Sequence, residues 1–413
     1  MTIKVLAIGD VGNVIRTIQK YTKKSKIHLI NYPRDGSAKF TNPENMESFK
    51  TWKVKENVEK INKIKSDYDV CISMATERTA YLADLNYISY YVGGDIESPR
   101  FKKNSRDSAA EGNENIHYRN IFERKFYWNA FKNAVTHVAG VWQFSELQKY
   151  TKNGIRNVML PIDIEEFNPN VKPIERKKTK FTFFSPMRME KFKGTDLLWE
   201  ALKFCKSDFE ILCVEWFGER TEEERQFKNK LLKTKPKQIT FLPLINRAEI
   251  PRYYTFADAV IANLFFGSFE LVGLESVMCG TPVIQYTDKR KNITLDNLKL
   301  ESPFQPFSND PKAIAEVIDK IVESKEFREE LFLQEYEFVN KIANPIKCAE
   351  WWDNLFENVF EKYGTIHRKS SPISIKLRMI GFLFGNRLYI SKIKNLILKR
   401  DNVYEGQTLY NSG

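Results

Sequence analysis

The sequence predicts an α/β protein built from two doubly wound, parallel-sheet domains and closed by a basic helical tail. Three observations carry this. Short apolar runs alternate with amphipathic stretches from the start of the chain, the pattern of strands joined by crossover helices. At 413 residues the chain exceeds one ordinary core, so two domains are expected. A charged stretch at 163–180, with Pro169 and Pro173, separates two such alternating series.

In the first series, strands are expected at 3–8, 27–32, 68–73, 87–92, 136–141 and 158–161, with helices at 14–23, 53–65, 76–84, 116–132 and 145–151. Gly9 and Gly12 frame the first strand–helix turn, and Gly12 lets the backbone come close to a ligand there. The spacing lacks the third glycine of a dinucleotide fingerprint. Gly93-Gly94-Asp95 ends the fourth strand, and Asp95 is a candidate for hydroxyl contact or, equally, a loop cap. Residues 96–115 carry no apolar pattern and read as a binding lid or a disordered loop.

The second series has strands at 181–186, 209–214, 238–242, 260–266 and 281–286, with helices between them and at 311–323, 326–342 and 345–363. Val260 to Phe266 is apolar apart from Asn263, as suits a strand buried on both faces. Gly267-Ser268 turns the chain, and a helix through Leu271, Leu274, Val277 and Met278 stops at Gly280. A glycine turn feeding a helix leaves free N–H groups and a dipole that suit phosphate. Arg188 follows a buried strand and Lys193 precedes a helix. A planar guanidinium and a mobile ammonium at one strand end suit a diphosphate. Glu275 offers a carboxylate that accepts two hydrogen bonds from a vicinal diol such as ribose.

Taken in order, these pieces resemble the retaining glycosyltransferases of family 4. Arg188 with Lys193-Gly194, the segment Met159 to Pro169, Phe256 to Val260, and Glu275 followed by Gly280-Thr281-Pro282 all match that family's pattern. The resemblance implies the GT-B fold: two Rossmann-like domains facing across a cleft, 1–162 for the acceptor and 181–344 for a nucleotide-sugar donor. A linker at 163–180 and a helix at 345–363 packed back on the first domain complete it. It also implies that Arg188 and Lys193 hold the donor diphosphate as the catalytic cations, that Glu275 holds the ribose, and that the sugar is transferred with retention. The family's first motif glutamate falls at Gly267, with Glu270 nearby as its substitute. Gly267 and Ser268 amides, Glu270, Asp95 and Gly12 complete the expected substrate contacts. No metal or other cofactor is expected, since neither an Asp-x-Asp nor a His/Cys cluster is present. The missing glutamate keeps a second reading open, a non-catalytic sugar- or nucleotide-binding paralogue in glycan assembly.

The net charge of +12 is concentrated. Residues 362–400 hold ten Lys/Arg and no acid, so the charge belongs to the tail and argues against a nucleic-acid partner. Within 364–413, Ile373, Leu377, Ile380 and Phe384, then Tyr389, Ile390, Ile393, Leu396 and Ile397, recur at helical spacing. A basic amphipathic tail predicts an anionic membrane surface as partner. With five scattered cysteines and no secretory signal, the expected location is cytoplasmic, peripheral to the inner face of the membrane. A lipid-linked or other glycan is the expected acceptor.

Overall fold

The computed structural model describes residues 2–34, 46–106, 116–118, 120–219, 222–291, 293–295 and 297–385. The expected helical face at 389–397 and residues 107–115 of the 96–115 loop lie outside them. Two compact units are present. The first holds the described residues up to Asn157 and those from Ala349 on; the second is Val158–Cys348.

In unit 1, β1 (Ile3–Ile8), β2 (Ser25–Ile30), β3 (Val70–Met74), β4 (Tyr87–Tyr91), and further on Thr136–Ala139 and Gly154–Arg156, form one six-stranded sheet. Every pairing in it is parallel. The strands other than Gly154–Arg156 are mostly buried because both faces are covered. Helices α1 (Val14–Tyr21), α2 (Val54–Ile64), α3 (Glu77–Leu82) and the short α4 (Gly94–Glu97) follow the first four strands. In the patternless loop, β5 (Asn104–Arg106) pairs antiparallel with β6 (Ile116–Tyr118), which takes the start of the stretch expected to be helical. The next helix therefore starts late: α5 spans Ile121–Asn133, and Asn120 caps it by accepting from the Glu123 N–H at 2.8 Å. After it come β7 (Thr136–Ala139), α6 (Val141–Gln148) and β8 (Gly154–Arg156). The strand expected at 158–161 is instead an extended lead into unit 2, where Leu160 N and Ile162 N donate to the Ile342 and Ala343 carbonyls. Pro161 has no N–H with which to build a ladder.

Unit 2 repeats the plan with β9 (Phe181–Ser185), α7 (Thr195–Ala201), β10 (Phe209–Val214), α8 (Glu222–Lys233), β11 (Ile239–Leu242), α9 (Ile250–Phe256), β12 (Ala259–Ile261), α10 (Leu271–Met278) and β13 (Val283–Ile284). Its sheet runs β11-β10-β9-β12-β13 and is parallel throughout. A hairpin of β14 (Ile293–Leu295) and β15 (Leu298–Leu300), then α11 (Pro311–Glu323) and α12 (Lys325–Ile342), complete it. The core gathers Phe183, Trp199, Ile211, Ile261, Ile284, Ile314 and Leu331. The expected linker at 163–180 lies inside this unit as a strap. Phe167 is fully buried, Ile174 N donates to the Arg252 carbonyl, and Arg176 and Lys178 pair with Glu210 and Asp258 at 3.0 Å each.

The chain returns to unit 1 within α13 (Pro345–Tyr363). There Trp352 is buried edge-on to Tyr90, and the Asp353 carboxylate accepts from the N–H groups of Lys23 and Lys24 at 3.0 Å, just beyond α1. The final described helix, α14 (Pro372–Gly385), lies in the segment expected as a basic amphipathic tail, and it packs on unit 1. Its Met379, Phe382 and Leu383 pack into the unit 1 core with Ile366, and Arg378 pairs with the buried Asp84 at 2.7 Å. Ile373, Leu377, Ile380 and Phe384 share one face, as their spacing indicated, and that face is exposed.

Candidate functional site

In unit 2 the direction of winding reverses between β9 and β12. At such a point the loops leaving adjacent strands diverge, and open α/β sheets bind their ligands outside the carboxyl ends there. The loop after β9 carries Arg188 and Lys193; the loop after β12 runs from Ala262 to Glu270. They are tied together, since Leu264 N donates to the Lys193 carbonyl at 3.1 Å. Gly194 makes this approach possible. Its φ is +77°, and a Cβ would come within 2.9 Å of the Leu264 Cβ.

The strand expected at 260–266 ends at Ile261. Asn263 is the reason: its side-chain oxygen accepts from Phe265 N at 2.8 Å and Phe266 N at 2.9 Å, turning the chain outward. Its amide then donates to a Glu270 carboxylate oxygen at 2.8 Å. The Lys193 ammonium grips the same carboxylate at 2.7 and 2.8 Å. Glu270 also supplies the backbone start of α10, its carbonyl accepting from Gly273 N and Leu274 N. Lys193 and Glu270, separated by 77 residues, thus meet at a helix N-terminus. Arg188 pairs with the buried Glu190, Nη2 to Oε2 being 3.0 Å. Arg188 and Lys193 both lie near the Phe192 ring, 5.9 and 5.7 Å from its centroid.

Gly267 has φ +69°, and a Cβ would stand 2.8 Å from both the Asp288 Cβ and the Tyr286 ring. The position matching the family's first glutamate therefore has no room for a side chain. Ser268 is buried, and its carbonyl accepts from the Gln285 side chain at 2.7 Å. Glu275 lies under the surface, 2 % exposed. It accepts from Arg247 Nη2 at 2.7 Å and from the Tyr254 hydroxyl at 3.3 Å. Burial pushes the Glu275 carboxyl above the usual carboxylate range, and the Arg247 charge opposes that shift.

Asp95 and Gly12 belong to unit 1. Asp95 sits on α4, with one oxygen accepting from Gly93 N and Ile96 N at 3.1 Å and the other buried without a hydrogen-bond partner among the described residues. Burial, with Glu77 next in effect, raises its pKa well above the ordinary value. Gly12 has φ +68°, but the Ile15 and Arg16 amides beyond it are already occupied. The Asp10 carboxylate accepts from Ile15 N and Arg16 N at 3.0 Å, so this chain's own anion fills the start of α1. Among the described residues no group of His, Cys, Asp and Glu is arranged to hold a metal.

Sequence reasoning missed Arg247, Glu190 and the capping role of Asn263. Only Asn263 carried a signal, as the polar break in an apolar run.

Residues 167–334 match the family model of glycosyl transferases group 1. No curated protein sequence matches the chain. Among solved structures, HepE from Anabaena, in complex with UDP and glucose, superposes with a TM-score of 0.59 at 14 % identity, covering 86 % of this chain and all of that one. Sucrose-phosphate synthase from Thermosynechococcus elongatus gives 0.60 at 14 %, covering 87 % and 100 %. An α-glucosyltransferase in complex with UDP and a DNA 13-mer gives 0.59 at 10 %, covering 86 % and 100 %. Two parallel-sheet, Rossmann-like units with these neighbours make the fold GT-B, and residues 167–334 resemble the glycosyl transferases group 1.

Proposed function

We propose that this protein moves a sugar from a nucleoside diphosphate sugar to a lipid-linked or other glycan acceptor, with retention of configuration. The observation that carries the reading is Lys193, held with Arg188 at the switch point of unit 2 beside the start of α10. That is a place for a diphosphate. The HepE complexes with UDP and with UDP-glucose support a nucleotide-sugar donor of this type.

In this reading the donor diphosphate exchanges with the Glu270 carboxylate at Lys193. Lys193, Arg188 and the amides of Gly267 and Ser268 then stabilise the charge that develops as the anomeric carbon–oxygen bond breaks. The acceptor hydroxyl attacks on the same face, and its proton passes to the departing phosphate oxygen. No protein base, metal or other cofactor is invoked. Taking up the ribose hydroxyls at Glu275, 2 % exposed as it stands, requires the Arg247 guanidinium to release its carboxylate oxygen. Asp95 contacts a sugar hydroxyl. The chain works at the inner face of a membrane, held peripherally by the segment from 364 onward.

A thermal-shift titration with UDP, GDP and ADP on wild type and Lys193→Ala tests the donor site. A ligand at a hundred times its Kd stabilises the fold by about 2.7 kcal/mol. One diphosphate should shift the wild-type midpoint and not the variant's. No shift with any of them in the wild type sinks the reading. The crowding at Gly267 favours one rival, a paralogue that binds a nucleotide sugar without turning it over. Slow hydrolysis of the bound donor in the absence of acceptor separates the two, because only a working transferase leaks sugar to water.

A further inference from the structure

Six large apolar side chains stand exposed together on unit 1. Ile373, Leu377, Ile380 and Phe384 form one stripe along α14, and Ile121 and Phe122 occupy the first turn of α5; all are between 47 and 71 % exposed. The two sets are joined by construction. The Phe122 and Phe384 rings lie 5.8 Å apart. Asn120 caps the start of α5 with its oxygen and, through its amide, donates to the Gly385 and Phe384 carbonyls at 3.0 and 3.4 Å at the end of α14. Gly385 permits the contact, since a Cβ there would come within 2.8 Å of the Glu123 Cα. The buried side of α14 is spent on the core, so the stripe is a fixed feature of the folded unit. Monomeric soluble surfaces rarely leave a contiguous apolar patch of this kind uncovered.

The surrounding charge selects the occupant. Helix α14 contains no acid, and Glu123 is the sole acid of α5. Lys369 and Lys376 are exposed, while Arg378 is committed to Asp84. The sequence then continues through 386–400 with five Lys/Arg and no acid. A second copy of this chain would bring like charge against like charge. No described helix is long and apolar enough to cross a bilayer. We propose that the α5–α14 patch seats on an anionic lipid surface. Its six apolar side chains enter the boundary between headgroups and acyl chains, and Lys369 and Lys376 meet the headgroups. This deepens the peripheral-location part of the proposed function, assigning it to a folded face of unit 1, and does not depend on the nucleotide site.

The test is flotation of the full chain with vesicles of phosphatidylcholine alone and of equimolar phosphatidylcholine and phosphatidylglycerol. The wild type floats with the anionic vesicles, and Phe122→Glu/Leu377→Glu loses about tenfold or more in vesicle affinity. Both substituted positions are exposed, so the melting midpoint and any nucleotide response stay unchanged. The proposal is overturned if the double variant floats like wild type, or if wild type floats with neither vesicle or equally with both. It also falls if wild type is a dimer in solution and the variant a monomer. Loss of the nucleotide response in the wild type would count against the donor site alone.

Discussion

Gly267 gives the sharpest test of how this chain departs from the family it resembles. The perturbation is Gly267→Ala, the smallest side chain possible. The left-handed φ of +69° costs a non-glycine residue about 1–2 kcal/mol. The added carbon also meets the Asp288 Cβ and the Tyr286 ring at 2.8 Å. Neither is the free end of a flexible chain, because Asp288 N donates to the Gly267 carbonyl at 3.0 Å. Overpacking of this kind costs about 1–3 kcal/mol more. A loss of about 3 kcal/mol lowers the midpoint of a unit of this size by roughly 6–12 °C. Differential scanning calorimetry reads the shift directly. Gly381→Ala is the internal control: it lies inside α14, and its Cβ would meet nothing within 4 Å. It should stabilise by about 0.5–1 kcal/mol. If Gly267→Ala melts with the wild type while Gly381→Ala behaves as stated, the steric account of the missing glutamate is wrong.

Two further outcomes follow from buried ionisable groups. Glu275→Gln leaves the Arg247 guanidinium without its countercharge at a largely buried site, so the fold should lose about 3–5 kcal/mol, read as a fall in denaturation midpoint; an unchanged midpoint would mean that the pair is not formed. His137 is packed on Phe131 and its pKa is lowered by burial to about 4. The unfolded chain, at about 6.5, takes up a proton that the folded chain refuses, so stability is full above pH 6.5 and falls as pH drops toward 4. At pH 5 the loss should be about 2 kcal/mol, and His137→Asn should remove that acid sensitivity in a pH series of urea melts. An equal slope in both proteins would place the acid response elsewhere.

Much of this protein was legible in one dimension. Strand–helix alternation implied two parallel sheets because crossover geometry leaves few other solutions, and Arg188 and Lys193 could be placed at a strand end because both follow the β9 run. The spacing of Ile373, Leu377, Ile380 and Phe384 marked one helical face. Tertiary structure decided the rest. A sequence does not say which strands lie side by side, so the switch point between β9 and β12, and the meeting of Lys193 with Glu270, needed the fold. Helix phase alone left open which side of α14 the core takes, and packing of Phe382 settled it. The strap at 163–180 read as a linker because its partners, Glu210 and Asp258, lie far along the chain. Gly267 looked like a lost side chain; only the closeness of Asp288 and Tyr286, about twenty residues downstream, shows that no side chain fits there.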